Sequence, residues 1–214
     1  TLAHRGVLFL DEMPEFSRRS LEILRQPLED KVIRISRVYG TYDFPADFML
    51  CAAMNPCPCG HYPDMNRCRC TPAQVMQYLG RISQPLLDRL DLCAEVSPVD
   101  FEGLSSGRKG ESTQTIRERV ICAQDIQRER YKIEGIQFNG ELSGAQIEKY
   151  CKMEKDARQL LKMAFQNMPF SARAYHRILK VARTIADMEA TESIHRHHIA
   201  EALSYRAFDK KYWN

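Results

Sequence analysis

The sequence predicts an α/β fold for residues 1–100 and an all-helical part for residues 113–214, joined by a linker at 101–112. Three observations carry that division. Residues 6–10 (GVLFL) are apolar without alternation, the pattern of a central strand covered on both faces. Two further apolar runs, MLCAAMN at 49–55 and LDLCAEV at 90–96, read as strands of the same sheet. From about Thr113 onward the apolar residues recur at helical spacing instead.

Each element has its own signal. The first strand runs directly into Asp11 and Glu12. Ser17 can cap a helix that continues to about Leu28, with Leu21, Leu24 and Leu28 on one side. KVIRISRVYGTYDFPADF, residues 31–48, alternates on either side of Tyr39-Gly40-Thr41 and suggests a β-hairpin. The second strand ends at Asn55 and is followed by a turn-rich loop, PCPCGHYPDMNRCRCTP. RISQPLLDRLDL, residues 81–92, places a short helix ahead of the third strand. SPVDFEGLSSGRKGEST is rich in Ser and Gly and lacks apolar periodicity, as a linker would. The clearest helix runs from about Ala172 to Glu189. Ala174, Ile178, Val181, Ile185 and Met188 form its apolar stripe, and Arg173, His176, Arg177, Lys180 and Arg183 share another face.

Composition excludes some classes. With 214 residues, 44% hydrophobic and 28% charged, the chain can build one sizeable core or two smaller ones. A net charge of +3 is too weak to mark a nucleic-acid binder by itself. No apolar run approaches the ~18 residues that span a bilayer. There is no signal-peptide pattern, and a first residue of Thr1 reads as part of something longer. Of eight cysteines, Cys57, Cys59, Cys68 and Cys70 crowd together while Cys51, Cys93, Cys122 and Cys151 stand singly. That pattern suits a reduced, cytoplasmic setting, with the cluster reserved for metal.

An apolar strand ending in Asp-Glu suits magnesium-nucleotide chemistry. Asp11 can hold Mg²⁺ beside bound phosphates, and Glu12 can polarise the water that attacks a γ-phosphate. The alternative is that the two carboxylates only begin a polar loop and cap the next helix. Asn55, at the tip of another strand, can hydrogen-bond both the attacking water and the γ-phosphate, or serve as a turn residue. Arg89 can neutralise charge on a neighbouring subunit's nucleotide, or act as the salt-bridge partner of Asp88 or Asp91. The cysteines have the form C-x-C-x8-C-x-C, which can close a tetrahedral zinc site with His61 as a spare ligand. Four reduced cysteines in a mobile loop and a redox pair are the other readings. Lys180, Arg183 and residues 196–198 can touch nucleic-acid backbone in a salt-sensitive way, or form a solvated face. A metal role for the neighbouring His195, His197 and His198 is weak.

Taken together, GVLFLDEMPEF, AAMNPCPCG, RISQPLLDRLDL and SARAYHRILKVARTIADM resemble the magnesium-chelatase-like AAA+ ATPases, in their bacterial competence-protein (ComM/YifB) branch. The resemblance covers nearly the whole chain. It implies Walker B at Leu10-Asp11-Glu12, sensor 1 at Asn55, an arginine finger at Arg89 and sensor 2 at Arg173. It makes the hairpin around Gly40 the presensor-1 hairpin, residues 113–214 a lid, and Arg81 a second contact across a subunit interface. It further implies Mg-ATP, self-association into a ring (a hexamer), and DNA branch migration in natural transformation and recombination. Remodelling of a metal-insertion complex, as in the magnesium chelatases proper, is the alternative activity. A zinc-stabilised interaction module without catalysis is the alternative class. One departure stands out. The Gly-x4-Gly-Lys-Ser/Thr loop that cradles phosphates is absent from the sequence, and the nearest imitation, from Gly103, has the wrong spacing. The family carries that loop upstream, on a strand between those ending at Asn55 and following Arg89, so the chain reads as an incomplete core that should not hydrolyse ATP alone.

Overall fold

The computed structural model describes residues 1–97, 101, 105, 110–168 and 170–206. The expected linker at 101–112 and the segment beginning at Gly103 lie mostly outside the described residues. The chain divides into two compact units, the first Thr1–Leu90 and the second beginning at Asp91.

In the first unit, β1 (Val7–Leu10) pairs in parallel with β4 (Met49–Ala52), in register from Val7 with Met49 to Leu10 with Ala52. Between them lie α1 (Arg18–Ile23), α2 (Arg25–Asp30) and an antiparallel hairpin of β2 (Val32–Arg37) and β3 (Gly40–Pro45). Leu8, Leu10 and Leu50 pack with Leu21, Leu24, Leu28, Ile82, Leu86 and Leu87. The other face is uncovered, with Val7 59%, Phe9 58% and Met49 68% exposed and Cys51 exposed beside them. This corrects the reading of strands buried on both faces. Successive strand residues point to opposite sides, and helices cover only one of them here.

The helix expected from Ser17 to Leu28 is two. Ser17 caps the first, its Oγ accepting the Ser20 N–H at 3.1 Å. The break falls at Leu24, because Pro27 has no N–H for the carbonyl four residues back. The hairpin forms where expected, in register from Val32 with Pro45 to Arg37 with Gly40. Arg34 grips Asp43 across it with two hydrogen bonds of 2.8 and 3.0 Å. Its tip, Val38 and Tyr39, is almost fully exposed.

Residues 56–71 run without helix or strand into α3 (Pro72–Leu79). There Thr71 and Gln74 form a capping box, with hydrogen bonds of 3.3 and 2.8 Å. The short α4 (Gln84–Leu87) follows.

The third expected strand, LDLCAEV, does not form. Residues 91–97 are irregular and belong to the second unit, where Cys93 donates its N–H to the Tyr205 carbonyl at 3.1 Å. A strand exists only as part of a ladder, and the second unit's described residues offer nothing but a single Met153–Ile194 bridge.

The second unit is helical: α5 (Thr113–Arg130), α6 (Gly144–Tyr150), α7 (Lys155–Asn167), α8 (Ala172–Met188) and α9 (Arg196–Ser204). α8 is its axis. Ala174, Ile178 and Ile185 are buried as the stripe predicts, and Leu179, Ala182 and Ala186 are buried beside them. Met188 is exposed. Arg183 is the main correction. Expected on an outer basic face, it has no exposed surface. Its Nε donates to Asp187 at 3.1 Å, and its two terminal nitrogens donate to the carbonyls of Thr191 and Glu192 beyond the helix end. Asp187, also buried, takes Arg130 and the Asn139 amide (2.8 Å) as well. Two guanidiniums on one carboxylate thus bind the end of α5, the loop at 139 and the end of α8. Arg183 is out of reach of any nucleic acid.

Candidate functional site

The parallel pairing of β1 with β4 brings their carboxyl ends together. The ladder continues past both strands: Ala53 N–H donates to Leu10 O at 2.9 Å, and Met13 N–H donates to Ala53 O at 3.0 Å. Asp11 and Glu12 are therefore beside the segment that ends in Asn55, at the end where open parallel sheets hold their ligands. Asp11 Oδ1 accepts the Glu12 N–H at 3.0 Å, and both carboxylates are exposed. Glu12 has φ 49° and ψ 47°, a left-handed backbone that a side chain with a Cβ rarely adopts. Local strain of this kind collects at functional positions.

Tyr78 of α3 ties the group together. The Asn55 backbone is near enough to act on its hydroxyl, whose proton is held more tightly than usual, chiefly by burial and then by the Glu15 and Glu12 carboxylates. Nothing in the apolar stripe of α3 distinguishes this tyrosine in the sequence. Arg81 is also local: Nη1 donates to Pro14 O at 2.9 Å and to Glu15 at 3.0 Å, beside the acidic turn. Exposed oxygen donors of this sort suit a hard divalent cation held partly through water.

Arg89 does not project. Its side chain is 8% exposed, it donates to Pro85 O at 2.7 Å, and its ion-pair partner is Glu29 of α2. Asp91 pairs with Arg177 instead. Work in trans would first require release from Glu29. Arg173 is exposed in the first turn of α8, in the second unit. Lys180 donates to Gly140 O at 2.9 Å.

The four clustered cysteines converge. Their sulfurs lie within 4.8 Å of one another, with separations of 3.4 Å (Cys57–Cys59), 3.6 Å (Cys59–Cys68) and 3.8 Å (Cys57–Cys68). A disulfide needs about 2.05 Å, and none is present. Zn–S bonds of about 2.3 Å at tetrahedral angles place sulfurs about 3.8 Å apart. Backbone N–H groups point at the sulfurs too: Tyr62 at Cys57 (3.4 Å), His61 and Arg69 at Cys59, Cys70 at Cys68, and Cys59 at Cys70. The Arg69 and His61 N–H groups pull the Cys59 thiol down to about 6. Burial and the neighbouring sulfurs push Cys70 up to about 12. One sulfur ionises readily and a divalent cation would let the others follow, so the donor set fits soft-metal binding. His61 supplies a backbone N–H and is not among the clustered ligand atoms.

A second cluster, Glu189 with His197 and His198, looks similar and differs chemically. His198 Nδ1 accepts the His195 N–H at 2.9 Å, so the proton of the neutral ring is on Nε2, which faces Glu189 at 3.0 Å. That nitrogen has no lone pair for a metal. His197 reaches the same oxygen at 2.9 Å, and together they hold Glu189 below the usual carboxylate range. His195 pairs with Glu154 at 2.9 Å. These histidines cap α9 and brace it.

Among the described residues no helix is long and apolar enough to cross a membrane. Two family models match, "Magnesium chelatase, subunit ChlI" over residues 1–104 and "Magnesium chelatase, subunit ChlI C-terminal" over residues 110–206. The chain is 47% identical over 212 residues to an uncharacterized YifB protein of Salmonella typhimurium, covering 98% of this chain and 41% of that protein. It is 45% identical to the YifB protein of Escherichia coli over the same span. To the competence protein ComM of Haemophilus influenzae it is 47% identical over 208 residues, 97% of this chain and 40% of that one. The chain thus spans about two-fifths of the length of these relatives. With both family models in chain order and nearly all of the sequence covered, this chain belongs to the magnesium chelatase ChlI family, whose fold is AAA+-like, and to the part of it that includes YifB and ComM.

Proposed function

We infer that the chain supplies the hydrolytic half of an AAA+ ATPase site. The observation that carries this is the shared end of β1 and β4, where Asp11 and Glu12 stand beside Asn55. Mg²⁺, when bound with ATP, offsets phosphate charge there. Asp11 would orient that cation, Glu12 would take up a proton from the attacking water, and Asn55 would hold the γ-phosphate. Arg89, freed from Glu29, reaches a neighbouring subunit's nucleotide in a ring, a hexamer, and Arg173 meets phosphate from the helical lid. The phosphate-cradling loop comes from a strand, loop and helix outside this sequence. The uncovered face of Val7, Phe9, Met49 and Cys51 and the open edge of β4 are what such a segment would close. The four cysteines hold a structural zinc ion.

The relative named a competence protein favours a cytoplasmic motor acting on DNA in natural transformation and recombination, by branch migration, with contacts to the DNA backbone. The family's chelatase description favours remodelling of a metal-insertion complex instead. ATP turnover stimulated by DNA separates the two. The site itself is tested in the full-length protein by Glu12→Gln, which should keep nucleotide binding and stop turnover. Normal turnover would refute the assignment of the base.

A further inference from the structure

The cysteine loop leaves the tip of β4 at Asn55 and returns at Thr71, the cap of α3. Its cysteine pairs sit at those two ends: Cys57 is two residues after Asn55, and Cys70 immediately precedes Thr71. Cys57 is fully buried and packs with Val75, Tyr78 and Leu79 of α3. Met54, the neighbour of Asn55, packs against the same cluster, Tyr78 included. Gly60, at φ +79°, brings the loop back over the asparagine, so that a Cβ there would stand 3.9 Å from Asn55 Cγ and Oδ1. Asn55 is thus bounded by its own strand, by Tyr78 and by the loop. The loop has no helix or strand of its own to hold it closed.

We propose that zinc bound by Cys57, Cys59, Cys68 and Cys70 is the clasp that positions Asn55, so that metal occupancy sets the rate of ATP turnover without setting nucleotide affinity. The proposal rests on the zinc reading and on the role of Asn55 given above. A metal that joins the two ends of the loop fixes the exit path of β4 and the start of α3 together, because its binding energy becomes local folding energy. An amide that must meet a γ-phosphate has to be held to within about 0.5 Å, and a residue three positions past a strand has that precision only if the loop it leads into is anchored. The cysteines are positioning residues; they touch no substrate.

The test uses full-length protein. Elemental analysis should find one zinc per chain, and Co²⁺ in its place should give the intense absorption of a tetrahedral thiolate site. Cys68→Ser, or chelation of the wild type, should remove the metal and lower turnover by about 10-fold or more, with nucleotide Kd changed by no more than about twofold. Zn²⁺ returned after chelation should restore the rate, an arm that stands even if Cys68→Ser fails to fold. Asn55→Ala should show a similar loss, and removing zinc from it should add little. Absence of bound metal would overturn the zinc reading. Full turnover in Asn55→Ala would overturn the role of that residue. Zinc removal that leaves turnover intact, or that multiplies with Asn55→Ala, would overturn the positioning inference alone.

Discussion

Replacing Glu12 by glycine should make the protein more stable and inactive at once. Glu12 occupies the left-handed region, at φ 49° and ψ 47°. A residue with a Cβ loses roughly 1–2 kcal/mol there, which glycine avoids. Glycine returns roughly 0.5–1 kcal/mol of that through its greater freedom in the unfolded chain. Among the described residues the Glu12 carboxylate makes no side-chain hydrogen bond, so little else is lost. The net is a gain of about 0.5–1 kcal/mol, or about 1–4 °C in Tm for a domain of this size. Thermal unfolding and phosphate release, measured on full-length Glu12→Gly beside Glu12→Gln, would check it. The glutamine keeps the Cβ and should leave stability within about 0.5 kcal/mol of the wild type, while both variants lose turnover. A lower Tm for Glu12→Gly would show that the turn is not strained and that the glutamate stabilises it. Retained turnover would show that the strained position has no chemical task.

Two other predictions concern the buried and paired arginines. Asp187→Ala leaves Arg183 and Arg130 without their common carboxylate and should destabilise the second unit by about 3–5 kcal/mol, read as an early transition in denaturant unfolding; a change under about 1 kcal/mol would mean the arginines find other acceptors. If Arg89 acts in trans, Arg89→Ala protein and Glu12→Gln protein, each inactive, should recover turnover when mixed into one ring, and a mixture that stays inactive would deny Arg89 that part.

The elements that could be read in advance are those whose reasons are local. The cap at Ser17, the capping box at Thr71, the alternating hairpin and the stripe of α8 each depend on residues within a few positions of one another. That Asp11, Glu12 and Asn55 each end an apolar run is local in the same sense, but the parallel pairing of β1 with β4 that sets them side by side is a long-range contact. Arg183 could not be read in advance. Its position on the helix projects it to one side, but whether that side is water or core depends on Asp187, Arg130 and the turn at 191–192 closing over it. Arg89 was hidden likewise, because Glu29 meets it only through tertiary packing of α2 against the end of α4. LDLCAEV suggests a strand that does not form, because apolar composition reports burial and not hydrogen-bonded partners. Residues 91–97 keep the composition without a ladder.

The bare side of the small sheet has a practical bearing on handling the protein. Val7, Phe9 and Met49 form a greasy plate flanked by strand edges that pair with no further strand among the described residues, the kind of surface that draws a second chain into edge-to-edge association. A recombinant protein in which that plate stays bare should self-associate through it, so its solubility would report on the cover over β1 and β4 rather than on the helices beneath.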